Sequence, residues 1–136
     1  MERKIVHVIG TGTIGEPLIG LLSDYRDQLG IDEVTFHKNS ALHRDRSKVS
    51  DLLRRGARLS VDEGKEQEFR KLGIDPDLET EESIKRSTVV IDCTPKGVGH
   101  SNKVKYYEKF SEIVLASMLY EFVENKFSLS NATKLK

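Results

Sequence analysis

Three glycines in the segment Gly10-Thr11-Gly12-Thr13-Ile14-Gly15 stand at the spacing Gly-x-Gly-x-x-Gly. The chemistry open to them is that of a phosphate cradle. Gly10 permits a sharp turn, Gly12 has no side chain to block an approaching pyrophosphate, and Gly15 lets a following helix pack close to the preceding strand. Free N–H groups at the start of that helix, with its dipole, favour negative charge. Thr13 and Ile14 complete the turn. The other reading of this segment is a tight strand-to-helix connection without a ligand.

A second set of residues, Phe36-His37-Lys38-Asn39-Ser40, ends the next strand-like run. Dinucleotide domains that choose NAD place an acid there to accept hydrogen bonds from the ribose 2′-OH. Lys38 and Asn39 would not repel a 2′-phosphate, and Arg44 and Arg46 follow closely, so NADP is the expected preference over NAD. The competing reading is a set of solvent-facing cations. His37 and His43 lie in the same cofactor loop and could assist a phosphate, but they read more readily as exposed.

A third stretch, Thr94-Pro95-Lys96-Gly97, follows a late apolar run. Thr94, Pro95 and Gly97 are candidates to line the nicotinamide-ribose side, or they form an ordinary Pro-Gly turn. Cys93 and His100 suggest a nucleophile and base. A thiol that ends an apolar run is more often inert core, and no orienting acid or oxyanion donors can be assigned. No catalytic residue and no metal ligand is therefore named. His7 lies inside a strand and reads as a satisfied structural residue.

These residues need elements to hold them. Lys4 to Ile9 reads as a buried parallel strand. Ile14 to Leu29 carries apolar residues at Ile14, Leu18, Leu21, Leu22, Tyr25 and Leu29, which predicts an amphipathic helix stopped at Gly30. Glu33 to Lys38 is the second strand. Ser47 is expected to cap a helix reaching about Arg55, and Arg58 to Val61 is a short strand. Asp62 to Leu72 reads as a charged helix, and Pro76 leaves Ile74 to Leu78 unassigned. Thr80 is expected to cap a helix over Glu81 to Arg86. Thr88 to Cys93 is a strand, Ser101 to Phe110 a helix and Glu112 to Ala116 a last strand. This alternation predicts βαβ crossovers and a Rossmann-type, doubly wound, mostly parallel α/β sheet with flanking helices. Residues 1–116 form that NAD(P)-binding domain; 117–136 read as an amphipathic helix over Leu119 to Phe127 and a frayed polar end.

The 136 residues fit one domain, with 22 basic against 22 acidic residues. Zero net charge argues against nucleic acid or an acidic membrane as partner. Charge is nonetheless segregated: His37 to Arg58 holds seven Lys or Arg against two acids, and Leu59 to Ser83 holds nine acids against three bases. With one cysteine, no signal-like start and no apolar run long enough to span a bilayer, a cytoplasmic location is expected.

The turn Gly-Thr-Gly-Thr-Ile-Gly, the strand Val34-Thr35-Phe36-His37-Lys38 and the run Val90-Ile91-Asp92-Cys93-Thr94-Pro95-Lys96-Gly97-Val98-Gly99 together resemble the N-terminal nucleotide-binding half of archaeal-type glyceraldehyde-3-phosphate dehydrogenase. The resemblance covers about Ile5 to Phe110. It implies oxidation of glyceraldehyde 3-phosphate with inorganic phosphate, hydride transfer to NADP or NAD, and a tetramer of two-domain subunits. Gly10, Thr13, Ile14 and Gly15 match the family's pyrophosphate turn, and Lys38 matches its basic position near the 2′ side. Thr94, Pro95 and Gly97 match the loop beside the cofactor, and Cys93 matches a structural position. The family's nucleophilic Cys and activating His belong to a second domain, and Met118 to Phe127 departs from its pattern, so this chain alone is expected to be inactive. Besides this cofactor half, two readings stay open: a stand-alone dinucleotide-binding sensor or regulatory module, and the cofactor half of another reductase.

Overall fold

A computed structural model describes residues 3–94 and, as backbone, 114–117 and 132–134. The elements run β1 (Ile5–Ile9), α1 (Gly15–Asp24), β2 (Glu33–His37), a 3-10 turn (His43–Asp45), α2 (Arg46–Arg54) and β3 (Arg58–Val61). They continue α3 (Glu66–Lys71), β4 (Leu78–Glu79), α4 (Thr80–Arg86), β5 (Val89–Asp92), β6 (Val114–Ser117) and β7 (Ala132–Lys134). One sheet holds all seven strands in the order β4-β3-β2-β1-β5-β6-β7. Every pairing is parallel except that of β7 with β6. This is the expected Rossmann-like α/β architecture. Strand order reverses between β1 and β5, so the connections leaving their carboxyl ends run in opposite directions and a crevice is expected there.

Strand alternation gives the sheet two unlike faces. Val6 and Val8, Val34 and Phe36, and Leu59 and Val61 join Ile19, Val49, Leu52 and Phe69 in the apolar core. Each large side chain buried there contributes about 1.5–3 kcal/mol. The opposite face is polar along β1 and β2. His7 Nδ1 lies 2.6 Å from Thr35 Oγ1, and Ser83 of α4 closes the cluster at 3.1 Å from both. Glu33, 5% exposed, is gripped by Arg3, Arg58 and Arg86 at 3.0–3.1 Å. That clamp ties β2, β3, α4 and the start of the described chain together.

The helices differ from the sequence expectation in instructive ways. α1 stops at Asp24, and the segment to Gly30 turns back through Ile31 N–H to Arg26 O and Gly30 N–H to Asp27 O. Its buried face is Gly15, Ile19, Gly20 and Ser23, whereas Leu21, Tyr25 and Leu29 are exposed. Small residues let the helix lie close to the sheet around Ile19, with Leu18 and Leu22 packed at the edges of that contact. α2 begins at Arg46 with Asp45 before it, and Ser47 lies inside the helix rather than capping it. Asp62 precedes α3 and lies outside it, because its carboxylate is taken by His37 and Thr80. Thr80 is accordingly the first residue of α4 rather than its cap. The stretch around Pro76 leads into β4, which Asp77 braces by exchanging hydrogen bonds with Leu59. The expected polar end contains β7. The helices expected over 101–110 and 119–127, with Pro95, Gly97 and His100, lie outside the described residues.

Candidate functional site

A cavity of about 1000 Å³ opens at the carboxyl ends of β1, β2 and β3 and reaches Thr94 after β5. The glycine turn forms its floor. Gly10 has φ +100°, a conformation that excludes most side chains. A Cβ there would stand 3.1 Å from the Cys93 carbonyl group, so the β1 turn and the end of β5 are in close contact. A Cβ on Gly15 would stand 1.8 Å from the Gly10 carbonyl oxygen, which makes it the point where α1 meets β1. A Cβ on Gly12 would meet nothing within 4 Å. Each glycine thus has a separate reason to be glycine, and only at Gly12 does the missing side chain leave open space.

Gly10, Gly12 and Thr13 line the cavity, while Ile14 and Gly15 stand behind its wall. The helix start is a sparse donor. Glu16 N–H is bonded to Gly12 O at 3.1 Å, and Pro17 has no N–H. Anion contacts here fall to the turn itself.

The far end of the cavity is lined by His37, Lys38, Asn39, Arg44, Asp45 and Asp62. Lys38 is committed within the protein. Its Nζ lies 2.9 Å from Asp45 and 3.4 Å from Thr11 Oγ1, and its hydrogen bond holds the Asp45 carboxyl below the usual range. Lys48, the next cation, pairs with Glu16 at 3.3 Å. Arg44 is 82% exposed and only 4.0 Å from Asp45, so it can swing toward a ligand. Arg46 does not line the cavity; its guanidinium packs near Gly73. Of the two arginines expected to reach a phosphate, Arg44 lines the cavity and Arg46 does not. Asn39 receives two hydrogen bonds from Lys65 Nζ, to its main-chain and side-chain oxygens, both at 3.0 Å.

His37 is largely buried rather than exposed. Its Nε2–H donates to Asp62 Oδ1 at 3.0 Å, and Thr80 Oγ1 donates to the same oxygen at 2.8 Å. These bonds, led by His37, hold the Asp62 carboxyl down at about 2. Asp45, Asp62 and Thr80 were not legible as site residues. The one signal for Asp62 is its position directly after β3, at the carboxyl end of a parallel strand.

At the other rim, Thr94 N–H donates to Asp92 Oδ1 at 2.9 Å, and the Thr94 hydroxyl bonds the same oxygen. Cys93 beside them is half-buried, and burial followed by the Asp92 charge pushes its thiol up to about 11. Burial at the end of an apolar strand therefore disfavours its thiolate at neutral pH.

No protein-family model matches the sequence. Individual relatives do match. The chain is 30% identical over 112 residues to a glyceraldehyde-3-phosphate dehydrogenase from Pyrobaculum islandicum, covering 81% of the chain. It is 31% identical over 112 residues to that of Pyrobaculum arsenaticum and 35% identical over 109 residues to that of Methanobacterium bryantii. The chain is a relative of archaeal-type glyceraldehyde-3-phosphate dehydrogenases. It spans about 30% of the length of these relatives. What is shared with glyceraldehyde-3-phosphate dehydrogenase is therefore one domain's worth of sequence, and the described domain is the Rossmann-like sheet with its glycine turn.

Proposed function

We propose that this chain binds a nicotinamide dinucleotide, NADP in preference to NAD, as the cofactor half of a glyceraldehyde-3-phosphate dehydrogenase-like oxidoreductase. The observation that carries the reading is the direction of Gly12: its missing side chain leaves free space beside the cavity at the crevice where strand order reverses. A pyrophosphate fits there against the backbone of Gly10 to Thr13, with the adenosine toward His37 to Asn39 and the nicotinamide toward Thr94. Gly15 acts behind this turn by setting the distance between α1 and β1. Pro95 and Gly97 are carried into the proposal by the family resemblance alone. NADP is favoured by the mobile Arg44 and by Asn39, since Lys38 is already partly neutralised by Asp45.

A bound nicotinamide dinucleotide would supply the hydride acceptor for oxidation of an aldehyde. The residues of this chain hold and orient the cofactor. Acyl transfer to inorganic phosphate also needs an activated thiolate and a base within hydrogen-bond reach. Cys93, the single cysteine of the sequence, is a poor candidate because its thiol stays protonated. The groups that oxidise glyceraldehyde 3-phosphate are assigned to a partner domain. Calorimetry of the purified chain with NADP, NAD and ATP tests the reading. Saturable binding of NADP, weaker binding of NAD and none of ATP is expected. Equal affinity for all three would overturn it.

A further inference from the structure

The side-chain amide of Asn39 can offer the ligand either an acceptor or a pair of donors, and the two choices select different riboses. A carbonyl oxygen at the 2′ position accepts from a 2′-OH but repels a phosphate, which offers an amide only acceptors. An NH2 group can donate to a phosphate and also to the oxygen of a 2′-OH, so it admits the phosphate that the carbonyl oxygen would exclude. The choice is made outside the cavity. Lys65, in the loop between β3 and α3, is not a lining residue. Its ammonium has donors only, so the Asn39 oxygen it holds at 3.0 Å must be Oδ1. The same ammonium holds the Asn39 main-chain oxygen at 3.0 Å, so side chain and backbone are fixed together. With Oδ1 turned to Lys65, Nδ2 is the group left for the cavity that Asn39 lines.

We infer that Lys65 is a positioning residue for cofactor choice, acting through Asn39, whose amide it turns so that NH2 faces the ribose 2′ position. This rests on the NADP reading above and supplies a cause for it that neither Lys38 nor Arg44 provides. Asp45 neutralises Lys38, and Arg44 is unconstrained, but the Asn39 donor is held in place before any ligand arrives.

The test uses the full chain and two probes that differ only by the 2′-phosphate, 2′,5′-ADP and 5′-AMP, with NADP and NAD beside them. Lys65→Met is expected to weaken 2′,5′-ADP and NADP about three- to tenfold, leaving 5′-AMP and NAD within about twofold. Lys65→Arg, which still donates, should retain the wild-type ratio. In an Asn39→Ala background, Lys65→Met should change the ratio no further, which separates action through Asn39 from the loss of a nearby charge. Equal weakening of both probes by Lys65→Met, an unchanged ratio, or a full effect in the Asn39→Ala background would overturn the inference while leaving NADP preference standing. A wild-type chain that does not distinguish 2′,5′-ADP from 5′-AMP would overturn the NADP reading itself, and this inference with it.

Discussion

Gly15→Ala should destabilise the domain measurably, although it adds only one methyl group to a helix. The added Cβ would lie 1.8 Å from the Gly10 carbonyl oxygen and 2.7 Å from its carbon. Ordinary contact begins near 3.4 Å, so α1 must retreat by roughly 1.5 Å. Both colliding groups are backbone, and neither can rotate aside. Retreat would loosen Ile19, which is fully buried beneath α1. Overpacking costs about 1–3 kcal/mol, and this case belongs at the upper end. Alanine's better helix propensity returns at most about 1 kcal/mol. A net loss of about 2 kcal/mol corresponds to a fall in Tm of roughly 5–10 °C for a domain of this size. Gly12→Val is the matched control, since its side chain enters open space: Tm should hold while dinucleotide binding is lost. Gly20→Ala is a second control, because the group it meets is the flexible guanidinium end of Arg55 at 2.5 Å. Circular-dichroism melts and calorimetry on the three variants read both quantities. Gly15→Ala with a Tm within 2 °C of wild type would refute the packing argument, and Gly12→Val with unchanged affinity would remove the pyrophosphate from this turn.

Further outcomes follow from other named groups. Lys38→Asp should narrow or reverse the NADP preference, because it replaces a cation with a second acid beside Asp45; titration with both dinucleotides checks it. Burial, aided by the His37 charge, lowers the His7 pKa to about 3 from 6.5. The unfolded chain therefore takes up this proton first, and stability present above pH 6.5 is lost as pH falls toward 3. Urea melts should show about 2–3 kcal/mol of that loss between pH 7 and 4.5, and His7→Gln should flatten the slope there. Glu33→Ala strands three arginines that are partly exposed, so a loss of about 2–3 kcal/mol is expected rather than the larger penalty of a fully buried pair; a change under 0.5 kcal/mol by urea melt would show the clamp to be ornamental. The purified chain should give no phosphate-dependent NADP reduction with glyceraldehyde 3-phosphate, and turnover abolished by Cys93→Ser would contradict the inert-thiol assignment.

Which features were legible in the sequence has a physical explanation. β1, β2, β3 and β5 announce themselves because buried parallel strands are short β-branched runs bounded by turn residues. The glycine spacing was readable because backbone geometry leaves few substitutes at Gly10 and Gly15. The face of α1 was only partly readable. Of the periodic apolar residues, Leu18 and Leu22 pack against the core while Leu21, Tyr25 and Leu29 are exposed, and close approach to the sheet selects Gly15, Gly20 and Ser23 around Ile19, which the periodicity passed over. The boundary of α3 was missed for a related reason. Asp62 has the composition of a helix start, and only the tertiary contacts with His37 and Thr80 draw it into the cavity wall.

The same distinction governs charge at the candidate site. Read along the chain, the segment after β2 is a basic block, and it points directly to a phosphate. In three dimensions its members are divided among different duties. Lys38 is met by Asp45 from the same block, and Lys48 is met by Glu16 from the first turn of α1. Arg46 leaves the cavity for Gly73, and Arg55 is held by Asp24 at 2.6 Å. Asp62 arrives from the acidic segment to hold His37. Local net charge therefore says little about the potential a 2′-phosphate would meet, because paired charges largely cancel at the distance of a ligand. Selectivity then depends on groups whose direction is fixed and whose hydrogen-bonding capacity is unspent. Among the described residues at this end, the Asn39 amide meets both conditions, and the ammonium that fixes it comes from the predominantly acidic segment that follows, 26 residues along the chain. A sequence reading that sums charge near Lys38 reaches NADP by counting cations. On the proposal made above the same cofactor would be chosen through one oriented amide, so exchanging surface cations in this loop should move affinity less than turning Asn39 around.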